Sequence, residues 1–353
     1  MTNESWAYRE RERSGLTPLK GSKYPLIDAH LHFVDFCHET VGSDALLYYM
    51  NQAHVGKAVI CGLPPQKMWA SYDREPPAYY LSNGAPCYYY SYSDVIVAEQ
   101  MRTLATEQRQ RLFPLINGFN PVDRYAVRHI ERLYELYPDV WCGIGEVLLR
   151  HDDLSSMMYG EDARPNHPAL WPVYEFAAEH DWPVLIHSNV TSVAHSDYPL
   201  YVYEIEEALR EFPHTRFIFA HCGMSRRVNV PFYTRMVDRL LTRFPNVCVD
   251  ISWVIFDVAI CPNGEPNQQW LDLAEKWSSR ICLGSDLVNA FERLGPTLER
   301  YDPFLDRLSE EARANICWKT AEQLYSQDKH IARPAEPRHI PVWGKDIPLV
   351  NDV

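Results

Sequence analysis

Short apolar runs rich in β-branched residues alternate along the chain with longer stretches whose apolar positions recur every three or four residues. The first kind reads as strands buried on both faces, the second as amphipathic helices laid over them. Strands are predicted over 25–32, 57–63, 112–119, 140–147, 183–187, 216–221, 247–252 and 281–286; KAVICGL and RFIFAH are apolar almost throughout. Helices are predicted over 44–54, 93–110, 123–137, 169–180, 200–211, 232–243 and 268–277, and a last one over 302–325 follows the eighth strand. Eight strands with crossover helices fit an α/β chain folded as a (β/α)8 barrel, one domain over 25–330. An open doubly wound sheet is the alternative, but no G-x-G-x-x-G follows the first strand.

One segment breaks the rhythm. Residues 64–92 carry Pro64, Pro65, Pro76, Pro77 and Pro86 together with seven tyrosines, Tyr79 and Tyr80 among them. The stretch is too long for an ordinary βα loop, and its prolines argue against regular structure. It leaves the carboxyl end of the second strand, so it is expected over the barrel mouth as a lid or pocket wall, or equally as a subunit contact. Residues 1–24 read as a polar N-terminal extension. Residues 331–353, with Pro334, Pro337, Pro341 and Pro348, read as an extended C-terminal arm.

The chemistry gathers at strand ends. His30 and His32 stand in LIDAHLHF; side chains two apart on a strand share a face, so both imidazoles can reach one ion. Glu146 ends the fourth strand, His187 the fifth, His221 the sixth and Asp286 the eighth. In a closed barrel those ends ring one axis, and buried charges there must be paired or bind a cation. Imidazole with carboxylate suits Zn2+, with Mn2+ or Fe2+ as alternatives. Taken singly, each of these residues could equally be a hydrogen-bonded core group.

The motifs H-L-H, I-H-S, A-H-C-G and G-S-D, in that order over roughly 25–325, resemble the amidohydrolase superfamily, in particular its amidohydrolase 2 branch, which also holds decarboxylases of the aminocarboxymuconate-semialdehyde type. The resemblance implies a TIM barrel with metal at its mouth. It implies His30, His32, His187 and Asp286 as metal ligands, and His221 as a ligand of a second ion or a contact of the activated water or substrate. By the same resemblance, single-metal decarboxylase-like members generally lack an acidic residue where Glu146 stands, whereas two-metal relatives place a bridging carboxylate, or a carboxylated lysine, there. Glu146 would then join one ion held by His30, His32 and Asp286 to another held by His187 and His221. Otherwise it pairs with Arg150 or supports a ligand histidine.

The expected activity is a metal-dependent hydrolysis. A metal-activated hydroxide would attack an amide, ester, lactone or thioester of a small, carboxylate-bearing substrate. Asp286 would move the proton and His221, if not a ligand, would stabilise the oxyanion. A non-oxidative decarboxylase of an unsaturated or aromatic acid is the alternative on the same scaffold, and a barrel that binds without turnover is a third. Arg226 with Arg227, or Arg150 with His151, could clamp a substrate carboxylate, and Trp253, Tyr79 and Tyr80 could wall the pocket; each could instead be an ordinary surface or core residue. Asp35 and His38 could support the histidines. Cys37 and Cys222, which adjoin site residues, read as small buried hydrophobes rather than nucleophiles.

Composition narrows the partners. The chain has 353 residues, 46% of them hydrophobic, and a formal net charge of −13, which disfavours nucleic acid. The first residues lack the apolar run of a signal peptide, and no stretch is long and apolar enough to span a bilayer. Nine dispersed cysteines without a C-x-x-C suit a reducing cytoplasm. The arm and the aromatic insertion would also suit a homodimer.

Overall fold

A computed structural model describes residues 21–326. The expected arm over 331–353, and all but the last residues of the 1–24 extension, lie outside the described residues. The strands are β1 (Leu26–His32), β2 (Val55–Cys61), β3 (Pro65–Lys67), β4 (Cys87–Tyr89), β5 (Leu112–Ile116), β6 (Gly143–Leu148), β7 (Pro183–His187), β8 (Arg216–Phe219), β9 (Val247–Asp250), β10 (Ile281–Cys282) and β11 (Leu287–Val288). Nine of them form one sheet in the order β10-β9-β8-β7-β6-β5-β2-β1-β11, and every pairing in it is parallel.

The two edges of that sheet belong to one stretch of chain. β10 pairs with β9 and β11 with β1. Between them, the Ala29 N–H donates to the Leu283 carbonyl at 3.0 Å and the Asp286 N–H to the His30 carbonyl at 2.7 Å. Residues 281–288 are thus the eighth strand, and the architecture is the (β/α)8 barrel that the alternation predicts.

Alternation sorts the strand residues into two layers. Ala58, Ile60, Val184, Ile186, Phe217 and Phe219 point outward and pack with the helices. Val59, Phe113, Leu115, Leu185, Ile218 and Cys282 fill the barrel, and Ala321, Leu324 and Tyr325 of the last helix pack against them. Each such apolar side chain contributes about 1.5–3 kcal/mol on burial. The opposite, carboxyl-end rim therefore carries the polar groups.

Two predictions need correction. The insertion is not devoid of regular structure: β3 and β4 pair antiparallel, with Pro65 opposite Tyr89 and Lys67 opposite Cys87. A two-stranded ribbon has only edges, so proline does not interrupt a central ladder. Phe36, Leu63, Tyr80, Cys87, Leu148 and Leu154 form an apolar cluster that fastens this ribbon to the rim. The helix predicted over 302–325 is broken once, after Asp302–Leu305; Glu310–Ala314, Asn315–Lys319 and Thr320–Tyr325 then run on without a gap, the middle five residues wound as a π-helix. Ser309, whose hydroxyl caps Ala312 N–H, starts the second piece. No helix among the described residues is long and apolar enough to cross a membrane.

Candidate metal centre

Backbone irregularities aim the key side chains. In β1, Ile27 and Ala29 face the barrel interior but Leu31 packs outward, because the register with β2 shifts between Asp28 and Leu31. That shift turns His30 and His32 inward. In β6 the register shifts between Ile144 and Val147, which both face outward, and Glu146 is directed inward. The turn passes through Gly145 at φ +130, where a Cβ would lie 2.5 Å from the Leu185 carbonyl oxygen. His221 and Asp286 both adopt φ +53, a conformation disfavoured for L-residues by roughly 1–3 kcal/mol and concentrated at functional sites.

The six side chains meet. Glu146 Oε1 lies 3.2 Å from His187 Nδ1, 3.4 Å from His30 Nε2 and 3.6 Å from His221 Nε2, while Oε2 lies 3.4 Å from His32 Nε2. Asp286 Oδ1 lies 3.1 Å from His32 Nε2 and 3.5 Å from His30 Nε2, and its Oδ2 lies 3.7 Å from His221 Nε2. Three overlapping sets, His30–His32–Glu146, His30–His221–Asp286 and Glu146–His187–His221, bring one ligand-type atom from each residue within 4.8 Å of the others. Nε2 of His30 and of His221 is buried with no hydrogen-bond partner in the protein. Buried ring nitrogens without partners are expensive unless a cation takes them, so the donor set fits a divalent ion.

The electrostatics agree. Burial opposes charge on His30, but Glu146, Asp286 and Asp250 overcome it and hold the imidazole well above its ordinary value. His221 is likewise held at about 9, burial being outweighed by Asp250, Glu146 and Asp286. Burial pushes the Glu146 carboxyl up, and His30, His187 and His221 more than reverse this, leaving it well below the usual range.

Outward from the cluster, three of the four rings are held by their other nitrogen, whereas His187 keeps Nδ1 on Glu146 and has Nε2 buried without a partner. His32 Nδ1 donates to the Gly62 carbonyl at 3.0 Å, which also accepts from Asn117 Nδ2 at 2.8 Å. His30 Nδ1 lies 3.0 Å from Asp250 Oδ2. His221 Nδ1 lies 2.9 Å from Ser252 Oγ, whose hydroxyl donates to Asp250 Oδ1 at 2.6 Å. Gly284 lets the eighth strand come this close to β1: a Cβ there would sit 2.8 Å from His30 N.

Sequence reasoning missed Asp250, Ser252 and Asn117. The signal for the first two was present, since VCVDIS ends its strand on two polar residues two apart, as LIDAHLH does.

The rim residues separate. Arg226 lies over the Trp253 ring at 5.0 Å and its Nη2 donates to Tyr79 Oη at 3.2 Å. Trp253 is in turn 5.0 Å from the His221 ring and 5.9 Å from that of His187. Tyr80 is buried against Phe36 and Tyr79, its hydroxyl without a partner. Arg150 is turned elsewhere: its guanidinium grips buried Glu204 at 2.7 and 2.8 Å and stacks on Tyr201. Glu146 is therefore not its partner. Arg227 pairs with Asp152 and Asp153. His151 stacks on His187 with ring centroids 5.0 Å apart; burial, His187 and Arg226 hold it well below its ordinary value, hence neutral. Its Nδ1 accepts the Asp153 and Leu154 N–H groups, so its proton is on Nε2. Asp35 binds the Cys37 and Glu39 N–H groups and Asn289, and His38 binds Tyr88. Burial pushes the Cys222 thiol well above its ordinary value and Cys37 to about 12, which removes both as thiolates.

A barrel of parallel strands with an imidazole–carboxylate cluster at its carboxyl rim is the layout of a metal-centred enzyme. The family model for amidohydrolases matches residues 147–327, a span holding His187, His221 and Asp286, and the chain belongs to that family. A comparison with curated proteins gives no match. Among solved structures, an amidohydrolase of Burkholderia multivorans with bound zinc is 15% identical, with a TM-score of 0.55 over 86% of this chain and 99% of its own. An uncharacterised TIM-barrel protein of Bordetella bronchiseptica gives 13%, 0.54, 87% and 100%. A probable 2-pyrone-4,6-dicarboxylic acid hydrolase of Acinetobacter baumannii, with citric acid bound, gives 13%, 0.53, 85% and 98%. At such identities the likeness is one of fold.

Proposed function

We propose that the protein is a metal-dependent hydrolase of a small carboxylate-bearing ester, lactone, amide or thioester. The observation that carries this reading is the convergence of six ligand-type side chains, with Glu146 at their centre, at the mouth of an amidohydrolase barrel. His30, His32 and Asp286 would hold one cation, His187 and His221 a second, and Glu146 would touch both. When bound, a divalent cation supplies Lewis acidity and brings the pKa of a coordinated water to about 7. Zinc suits the donors best, with manganese or iron(II) as alternatives.

The chain's own groups then have distinct tasks. Asp286 has a tenth of its side chain exposed, the most of the six, and so faces the incoming substrate. Burial pushes its carboxyl up, and His30, His32 and His221 more than reverse this, so it is ionised and able to take a proton from water and pass it to the leaving group. Where His221 is free of metal, its ring carries both protons, and the Nε2–H would stabilise the developing oxyanion. Arg226, fixed against Trp253, would receive the substrate carboxylate, with Tyr79 of the insertion walling the pocket; Tyr80, fully buried behind Tyr79, is packed away from substrate. Arg150, committed to Glu204, is left out of this set.

The position of Glu146 inside the cluster favours hydrolysis over decarboxylation. The test is elemental analysis of the purified chain together with turnover assays on carboxylated lactones, esters and amides, before and after chelation. Metal-bound protein that hydrolyses members of this panel, and stops on chelation, is the expected result. Loss of CO2 from unsaturated acids without any hydrolysis, or full activity of metal-free protein, would sink the reading.

A further inference from the structure

One buried carboxylate touches both halves of the cluster, and its two oxygens are not equivalent. Asp250 Oδ1 accepts the His221 N–H at 3.0 Å, the Ser252 N–H at 3.0 Å and the Ser252 hydroxyl at 2.6 Å. Three donors therefore fix that position as an acceptor. Oδ2 faces Nδ1 of His30 at 3.0 Å. Ser252 Oγ is a more distant alternative for the same nitrogen, at 3.3 Å, but its closer imidazole is His221 at 2.9 Å.

We propose that Asp250 is the positioning residue that sets the tautomer of His30 directly and of His221 through the Ser252 hydroxyl. With Nδ1–H given outward, each ring turns an unprotonated Nε2 to the centre, the only form in which that nitrogen binds a cation. The asymmetry makes the proposal sharp. In Asp250→Asn the amide oxygen must remain at the Oδ1 position, where three donors converge, so the NH2 group falls opposite His30. Two donors then face each other unless His30 moves its proton to Nε2, which removes it as a ligand; His221 keeps its Ser252 acceptor. The charge-neutral, isosteric change thus disarms one named histidine. In Ser252→Ala, His30 keeps Asp250, and His221 retains only Asp250 Oδ1 at 3.4 Å.

The assignment rests on the metal reading of the site, and zinc alone is the probe. Chelator competition on the full chain compares wild type, Asp250→Asn, Ser252→Ala, His30→Asn and the double variant Asp250→Asn/His30→Asn. Asp250→Asn is expected to weaken zinc binding roughly 10–100-fold. Added to His30→Asn it should weaken binding by less than about three-fold more, because its target is already gone. X-ray absorption should show one imidazole fewer around zinc in Asp250→Asn. Affinity equal to wild type, or losses that add in full, would overturn the assignment. Should Asp250→Asn not fold, 15N-labelled histidine in zinc-loaded wild type decides: His30 with its proton on Nδ1 supports the proposal, and on Nε2 overturns it. A wild-type chain that takes up no zinc overturns the metal reading itself; one that binds zinc as tightly as its Asp250→Asn variant overturns only the role given to Asp250.

Discussion

Glu146 holds Oε1 3.2 Å from Nδ1 of His187, across the seam between the fourth and fifth barrel strands. The same carboxylate reaches His30, His32 and His221 within 3.6 Å, so it stands between the two groups of ligands rather than at the edge of one. On the two-ion reading proposed above, Glu146 is the carboxylate that would touch both cations. Glu146→Gln removes the charge and turns a donor toward one side of the cluster. Zinc content should fall from two per chain to one or fewer, as measured by elemental analysis after equilibrium dialysis. Two zinc ions in both proteins would show that Glu146 does not bridge.

The arginines at the mouth are expected to fail differently. Arg226→Met removes a cation that has a tyrosine hydroxyl but no carboxylate within ion-pair distance among the described residues. A charge-assisted contact contributes about 2 kcal/mol, so kcat/KM for a carboxylated substrate should drop roughly 30-fold while that for its neutral methyl ester barely changes. Arg150→Met should leave catalysis in the folded fraction intact. It strands buried Glu204, at a cost of about 3 kcal/mol, visible as a lower urea midpoint. Equal loss of activity in both would refute the division of labour.

The contrast shows where sequence reading stopped. Strand ends were legible because each polar residue follows an apolar run, and six side chains chosen on that rule converge. The two-residue spacing of His30 and His32 correctly put them on one face, but nothing in LIDAHLH signals the register shift that makes the face the inner one. Arg150 and Arg226 could not be told apart, because their partners, Glu204 and Trp253, are distant in sequence. The insertion's prolines suggested irregular chain, whereas a two-stranded ribbon tolerates them at its edges.

Gly145 is the local device that aims Glu146, and it admits a clean comparison. Its φ is +130, and a Cβ would sit 2.5 Å from one Leu185 atom and 2.7 Å from another. Gly160 has φ +103 but nothing within 4 Å of a Cβ. Gly160→Ala should therefore lose only the backbone preference, about 1–3 kcal/mol. Gly145→Ala must also push β6 away from β7, so it should lose more stability and zinc affinity together. Titration with urea and with zinc tests this; a Gly145→Ala chain that binds zinc as wild type does would remove Gly145 from the account of how Glu146 is placed.

The cluster also predicts how zinc binding responds to pH. Burial lowers the His221 imidazole, and Asp250, Glu146 and Asp286 raise it further, to about 9, so at neutral pH the metal-free ring is protonated. Such a raised group stabilises the metal-free fold fully below its ordinary 6.5, and that contribution disappears as pH rises through about 9. Glu146 and Asp250 are held well below their ordinary 4.5 and 3.8; they stabilise above those values and lose the contribution on acidification. Zinc must displace the ring protons, so its uptake releases protons and its affinity climbs with pH, up to ten-fold per unit for each proton displaced. The difference in Tm between zinc-loaded and chelator-treated protein should accordingly widen from pH 6 to pH 9. A constant or narrowing difference would mean that the rings are already neutral in the metal-free protein, and that Asp250 and Glu146 do not hold their protons there.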